Sequence, residues 1–145
     1  MNKEKDRSKE KGQKQPRRII SATGRRKKSS ARVQMALEGK GLFLVNGKKW
    51  DEYFTTPSHK LLVVEPLDRA GLNDKVDVKA KVLGGGITGQ AGAIRLGLSR
   101  AIVEYDSELK TPFKKSKLLT RDPRAKERKK YGQKGARRKF QWTKR

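Results

Sequence analysis

The chain is 145 residues long and carries 39 Lys and Arg against 15 Asp and Glu, a formal net charge of +24. It has no Cys and a single His, which excludes disulfides, thiolate metal sites and Cys nucleophiles and leaves zinc or triad chemistry without partners. The length suits one domain with extensions.

Charge is distributed unevenly. Residues 1–32 hold 13 basic and 3 acidic side chains, residues 33–109 hold 10 of each, and residues 110–145 hold 16 against 2. Apolar residues follow the opposite pattern, 34 in the 77 middle positions and 13 in the 68 flanking ones. A neutral segment able to bury a modest core thus lies between two basic arms that bury too little to offset the entropy of ordering them. No apolar run approaches the roughly 20 residues of a membrane span. The first residues lack a hydrophobic signal region, and Glu4, Asp6 and Glu10 argue against an acid-poor transit peptide, so the expected compartment is the cytoplasm.

In chain order, residues 1–18 are low in complexity and are expected to be a disordered basic extension, ahead of a globular unit over 19–109 and an extended basic tail over 110–145. IISATG (19–24) predicts a first strand and SARVQMAL (30–37) a second, with GRRKK between them. GLFLV runs into Asn46-Gly47, a tight-turn pair because both residues tolerate positive φ. WDEYF and SHKLLVVEPL predict short helical pieces, the second opening after Pro57. VDVKAKV (76–82) alternates, with Val76, Val78, Ala80 and Val82 on one face and Asp77, Lys79 and Lys81 on the other, as in a half-buried strand. TGQAGAIRLGLSRAIVEY predicts a helix whose stripe is Ala91, Ile94, Leu98, Ile102 and Tyr105, with Arg95 and Arg100 off it. The sum is an α+β fold, a small, mostly antiparallel sheet with helices packed on one face.

The pattern offers no catalytic constellation. Gly84 and Gly89 have the spacing of a phosphate-loop motif, but Gln90 and Ala91 stand where that motif needs Lys and a hydroxyl. GGG at 84–86 serves equally as an ordinary strand-to-helix turn or as a place where an RNA phosphate approaches a helix N-terminus. His59 lies in the polar stretch PSHK and reads as a surface residue, and the acids Asp51, Glu52, Asp74 and Asp77 lie among lysines as salt-balanced surface. No metal and no cofactor are expected.

The basic run Arg25, Arg26, Lys27, Lys28 and Arg32 falls at a hairpin, where it would form a rigid comb for a sugar–phosphate backbone. Residues 126–145 contain 10 Lys and Arg and one acid, interleaved with Tyr131, Phe140 and Trp142, rings that can stack on exposed bases. A DNA-binding arm, a nuclear import signal or a membrane-surface patch would use the charge but does not need those rings.

TGRRKKSSARV (23–33), VNGKKWDEYF (45–54), GGGITGQAGAIRLGLSRAI (84–102) and LLTRDPRAKERKKYGQKGARRKFQWTKR (118–145), in this order, resemble small-subunit ribosomal protein nine in its bacterial form. The resemblance runs from about residue 19 to the last residue. It implies a four-stranded sheet of the kind shared with the second domain of ribosomal protein five, seated on the three-prime major domain of the rRNA in the subunit head beside other head proteins. It also implies a tail that threads the RNA toward the anticodon stem-loop of peptidyl-site tRNA. Carried over by position, Thr143, Lys144 and Arg145 would meet tRNA. Arg25, Arg26, Lys27, Lys28, Arg32, Arg121, Arg124, Arg128, Lys129, Lys130, Arg137, Arg138 and the backbone of Gly84, Gly85 and Gly86 would meet rRNA. Neither a membrane nor a second copy of the chain is expected as a partner. Where members of the family read K-K-A-R-R-A-P-Q-F-S-K-R, this chain reads KGARRKFQWTKR, so Phe140 replaces a Pro and frees an N–H and a φ angle. The competing readings are a free nucleic-acid binder, which the charge permits but the four ordered blocks do not require, and a phosphate-loop enzyme, which Gln90 and Ala91 oppose.

Overall fold

Strict alternation of small or branched apolar residues with polar ones decides which side of each strand is buried. The computed structural model describes residues 18–144; the expected extension over 1–18 therefore falls, but for Arg18, outside the described residues. The elements are β1 (Ile19–Arg26), β2 (Ser29–Leu37), β3 (Phe43–Val45), β4 (Lys48–Lys49), α1 (Trp50–Tyr53), α2 (Pro57–Ala70), β5 (Val76–Leu83) and α3 (Ile87–Tyr105). A 3₁₀ turn, Ser107–Leu109, leads into α4 (Lys110–Lys115).

The strands form one sheet in the order β1-β2-β5-β3-β4. All neighbours are antiparallel except β3 and β5, which run parallel because α1 and α2 connect them. The α+β class and the helices over one face agree with the sequence. The sheet has a fifth strand beyond the four implied by the resemblance, because Asn46 and Gly47 both take positive φ, 50° and 86°, and fold Lys48–Lys49 back on β3. The Asn46 side chain secures this turn to the sheet: its Oδ1 accepts from the Val82 N–H at 2.8 Å and its Nδ2 donates to the Val82 carbonyl at 3.1 Å.

One sheet face is apolar. Ile20, Ala31, Val33, Met35, Val76, Val78, Ala80 and Val82 pack with Phe43 and Val45 against Ala91, Ile94, Leu98 and Ile102 of α3. The helix α2 starts with Pro57 in its first turn, where no donor is lost, runs through the buried Pro66, and closes on Gly71 at a left-handed φ of 63°. It packs on α3 rather than on the sheet. The core extends into the segment assigned to the tail: Phe113 and Leu118 are as buried as any strand residue.

The contact between α3 and the β1–β2 hairpin is set by two glycines. A Cβ on Gly24 would lie 1.9 Å from the Ala93 carbonyl oxygen and 2.5 Å from the Gly97 nitrogen, and one on Gly97 would lie 2.9 Å from a Val33 methyl. Strand and helix backbones therefore touch. Gly24→Ala should separate them and destabilise the full chain by about 2–3 kcal/mol, the scale of overpacking a filled core, lowering the thermal midpoint by roughly 10 °C. Gly86→Ala, with nothing within 4 Å of its Cβ, should move it by no more than the ~0.5 kcal/mol of a surface change; circular dichroism melts compare the two.

Candidate nucleic-acid interface

The basic run at the hairpin is not a single comb. Alternation sends Arg25 and Arg32 to the exposed side of the sheet and Arg26 to the side that carries the helices. Lys27 and Lys28 stand exposed at the turn itself, Lys27 at a φ of 53°. Arg26 lies over the start of α3, its Cγ 3.0 Å from where a Cβ on Gly92 would sit, and turns toward the tail.

There it forms a clasp. Arg26 Nη2 pairs with Asp122 Oδ2 at 2.8 Å, and its Nη1 donates to the Arg124 carbonyl. Asp122 also accepts from the Arg124 N–H at 2.9 Å and from the Arg124 guanidinium, with Nη2 at 2.9 Å. These hydrogen bonds from Arg124, with the charges of Arg124 and Arg26, hold the Asp122 carboxyl at about 2, below its ordinary 3.8. Burial of Phe113 and Leu118, each worth roughly 1.5–3 kcal/mol, pins the chain immediately upstream. The tail thus leaves the body in a defined direction, beside the hairpin turn.

Farther out the tail loops on itself. Arg137 grips Glu127 with two bonds, Nη2 to Oε1 at 2.6 Å and Nε to Oε2 at 3.0 Å, which lowers the Glu127 pKa and raises that of Arg137. Lys134 N–H donates to the Arg138 carbonyl at 3.0 Å, and Lys134 Nζ lies 5.3 Å from the centroid of Phe140. Arg121, Arg128, Lys129, Lys130, Arg138, Thr143 and Lys144 are exposed, as are the rings of Tyr131 and Trp142. Arg145 lies outside the described residues.

The glycine loop has an internal reason to exist. Gly84 and Gly85 take φ of 70° and 64°, and a Cβ on them would meet the Lys28 carbonyl at 2.7 Å and Ser29 Oγ at 2.1 Å. Ser29 Oγ donates to the Gly84 carbonyl at 3.0 Å, joining the end of β5 to the hairpin turn. Gly86 alone faces open space, at the N-terminus of α3. The loop therefore brings Lys27 and Lys28 beside Gly86 and the start of that helix.

The other singled-out residues have structural partners. Arg95 pairs with Glu65 at 2.8 Å, and Arg100 donates to the Thr23 carbonyl at 2.7 Å. His59 is half-buried rather than fully exposed, with Nε2 3.1 Å from Thr88 Oγ1. Among the described residues no cluster of His, Asp and Glu could hold a metal ion, and no helix is long and apolar enough to cross a membrane. Sequence reasoning passed over Lys79 and Lys81 as the polar side of a strand; the strand register puts them beside Arg32 on the exposed sheet face.

A family model described as ribosomal protein S9/S16 matches residues 24–145. The chain is 50% identical over 123 residues to small ribosomal subunit protein uS9 of Rhodopirellula baltica, covering 85% of this chain and 89% of that one. It is equally 50% identical over 124 residues to the protein of that name from Maridesulfovibrio salexigens (86% and 95% covered), and 49% identical over 122 residues to that of an Anaeromyxobacter species (84% and 93%).

Because the folded Asp122 is more acidic than the unfolded one, its contribution to order is complete above the unfolded value near 3.8 and is lost as pH falls toward 2. The clasp should therefore be intact throughout the neutral range, and an NMR titration of the Asp122 carboxyl should find its midpoint near 2. Asp122→Asn should speed amide exchange at Arg124 while leaving the melting of the body nearly unchanged.

Proposed function

We propose how this protein works from one premise: the chain belongs to the ribosomal protein S9/S16 family, that of small ribosomal subunit protein uS9, whose members are structural components of the small subunit and not enzymes. Its work is binding and positioning. The body holds rRNA of the subunit head through Arg25, Lys27, Lys28, Arg32 and the open backbone at Gly86. The tail follows the RNA through Arg121, Arg124, Arg128, Lys129, Lys130, Arg137 and Arg138, and ends with Thr143, Lys144 and Arg145 at the anticodon stem-loop of peptidyl-site tRNA. Arg26 acts mainly through the clasp, aiming the tail.

The observation that carries this reading is the segregation of charge. The neutral middle is folded, while the tail carries 16 basic residues against 2 acids, and both acids serve to shape the tail itself. A chain so loaded repels itself unless a polyanion supplies the counter-charge. Neutralising phosphates releases their condensed counterions, which strengthens binding at low salt and makes it fall steeply as salt rises.

Sedimentation of lysate in moderately high salt should carry the protein with the small subunit; a protein that spreads with bulk DNA or stays at the top of the gradient would overturn the reading. Deleting residues 143–145 should leave incorporation nearly intact and weaken tRNA retention at the peptidyl site, since the deletion removes few cations but all of the proposed tRNA contacts. Equal tRNA affinity of truncated and intact subunits would count against a tRNA role for the tip.

A further inference from the structure

We infer that the exposed face of the sheet is a second RNA seat, a rail for the sugar–phosphate backbone of rRNA built on Arg32, Lys79 and Lys81 and flanked by Arg25. The inference rests on the ribosomal reading above and extends it to a surface and to lysines outside the basic run and the tail.

The rail follows from register. Arg32 on β2 pairs with Lys81 on β5, so their side chains rise from the same face, and Gln34 pairs with Lys79 one step along. On the other side Thr23 pairs with Arg32 and Arg25 with Ser30. Neighbouring strands lie about 4.8 Å apart and alternate residues about 6.6 Å apart along a strand, so four cations share a patch only three strands wide. Ser21, Thr23, Ser30 and Gln34 stand among them, all exposed and suited to phosphate and ribose hydroxyls. Arg32, Gln34, Lys79 and Lys81, with Leu44 and Leu83, line a shallow depression of about 750 Å³.

Several observations identify the occupant as an RNA backbone. No ion pair among the described residues engages Arg25, Arg32, Lys79 or Lys81, whereas Arg26, Arg69, Arg95, Arg124 and Arg137 all have carboxylate partners. Asp77, on the same side of β5, is engaged by the backbone N–H groups of Lys40 and Leu42, and the four like charges at these spacings suit an extended anion. No aromatic residue lies on this side of β1, β2 or β5, so the face can hold a backbone but cannot stack bases. Leu44, opposite Lys79, and Leu83 are among the residues that line the depression, but a protein hot spot is typically built on Trp, Tyr or Arg anchors and leucine is under-represented there. The cations stand on paired strands rather than on a tail, so binding them costs little ordering entropy.

The test uses the full chain and its Lys79→Gln, Lys81→Gln double variant. Both should melt alike, since the two lysines are exposed and unpaired. Against a head-domain rRNA fragment, the plot of log affinity versus log salt should lose about 1.4–1.8 units of slope in the variant, 0.7–0.9 per phosphate contact removed. In assembled wild-type subunits, amine-reactive footprinting should find Lys79 and Lys81 protected. An unchanged slope with both lysines protected would give the face to a protein neighbour and overturn the proposal, and full reactivity in the subunit would overturn it by leaving the face in solvent. A wild-type chain that neither binds the fragment nor enters subunits would overturn the ribosomal reading itself.

Discussion

The rest of the molecule depends on how closely α3 lies against the β1–β2 hairpin. Gly24 and Gly97 let strand and helix backbones touch, which no other residue pair could do without displacing Ala93 or Val33. That contact commits one face of the sheet to the core and leaves the other exposed. It also fixes the hairpin turn beside the start of α3, where Ser29 and Gly84 tie β5 into the same corner. From this corner depart the exposed Lys27 and Lys28, the open Gly86 and, through Arg26, the root of the tail. A helix farther from the sheet would loosen all of these, because interiors are close-packed and transmit displacement rather than absorb it.

Electrostatics within the body and within the tail obey different limits. In the body, Glu65 holds Arg69 at 3.0 Å and Arg95 at 2.8 Å, and Asp77 accepts from the backbone of Lys40 and Leu42. Acids here fix loops and helix contacts. In the tail the ion pairs are exposed and screened by solvent, too weak to collapse a segment with so few buried groups. What orders the tail root is the burial of Phe113 and Leu118, and past Leu119 that source of order ends. The change from body to tail is therefore gradual, with buried contacts reaching Leu118 and a charged clasp extending order a few residues farther.

Periodicity located nearly every element because the strands are one-sided and α3 buries the expected stripe from Ala91 to Ile102, though Tyr105, expected to end it, is 46% exposed at the last residue of the helix. Val76 to Val82 alternate without fault, and Asn46-Gly47 announces its own turn. What escaped is what depends on distant pairing. The fifth strand is two residues long and exists only through β3. The splitting of Arg25 from Arg26 needed the strand to continue past Gly24, where a basic run looks like a turn. The triple glycine carries no mark of its contact with Lys28 and Ser29, more than fifty residues earlier. Lys79 and Lys81 were visible as a polar face, but their meeting with Arg32 is a property of register. Asp122 was one acid in a basic tail until its link to Arg26 spanned nearly a hundred residues.

The two acids of the tail reduce its charge, so their value must lie in shape. Asp122 sets the exit and Glu127 closes a loop through Arg137. They differ in what RNA would have to undo. The Asp122 clasp involves three residues and the folded hairpin, and of the outward cations of the tail it engages Arg124. The Glu127 loop would have to open for the tail to lie extended along RNA, and the exchange would cost little: a solvent-screened carboxylate–guanidinium pair would give way to a bidentate phosphate contact that also frees counterions. The closed loop keeps Arg137 from repelling its neighbours and gives Phe140 a cation, Lys134, to rest on. The tail is thus held at its root by buried groups and a clasp, and farther out only by an exposed pair that a stronger anion could displace.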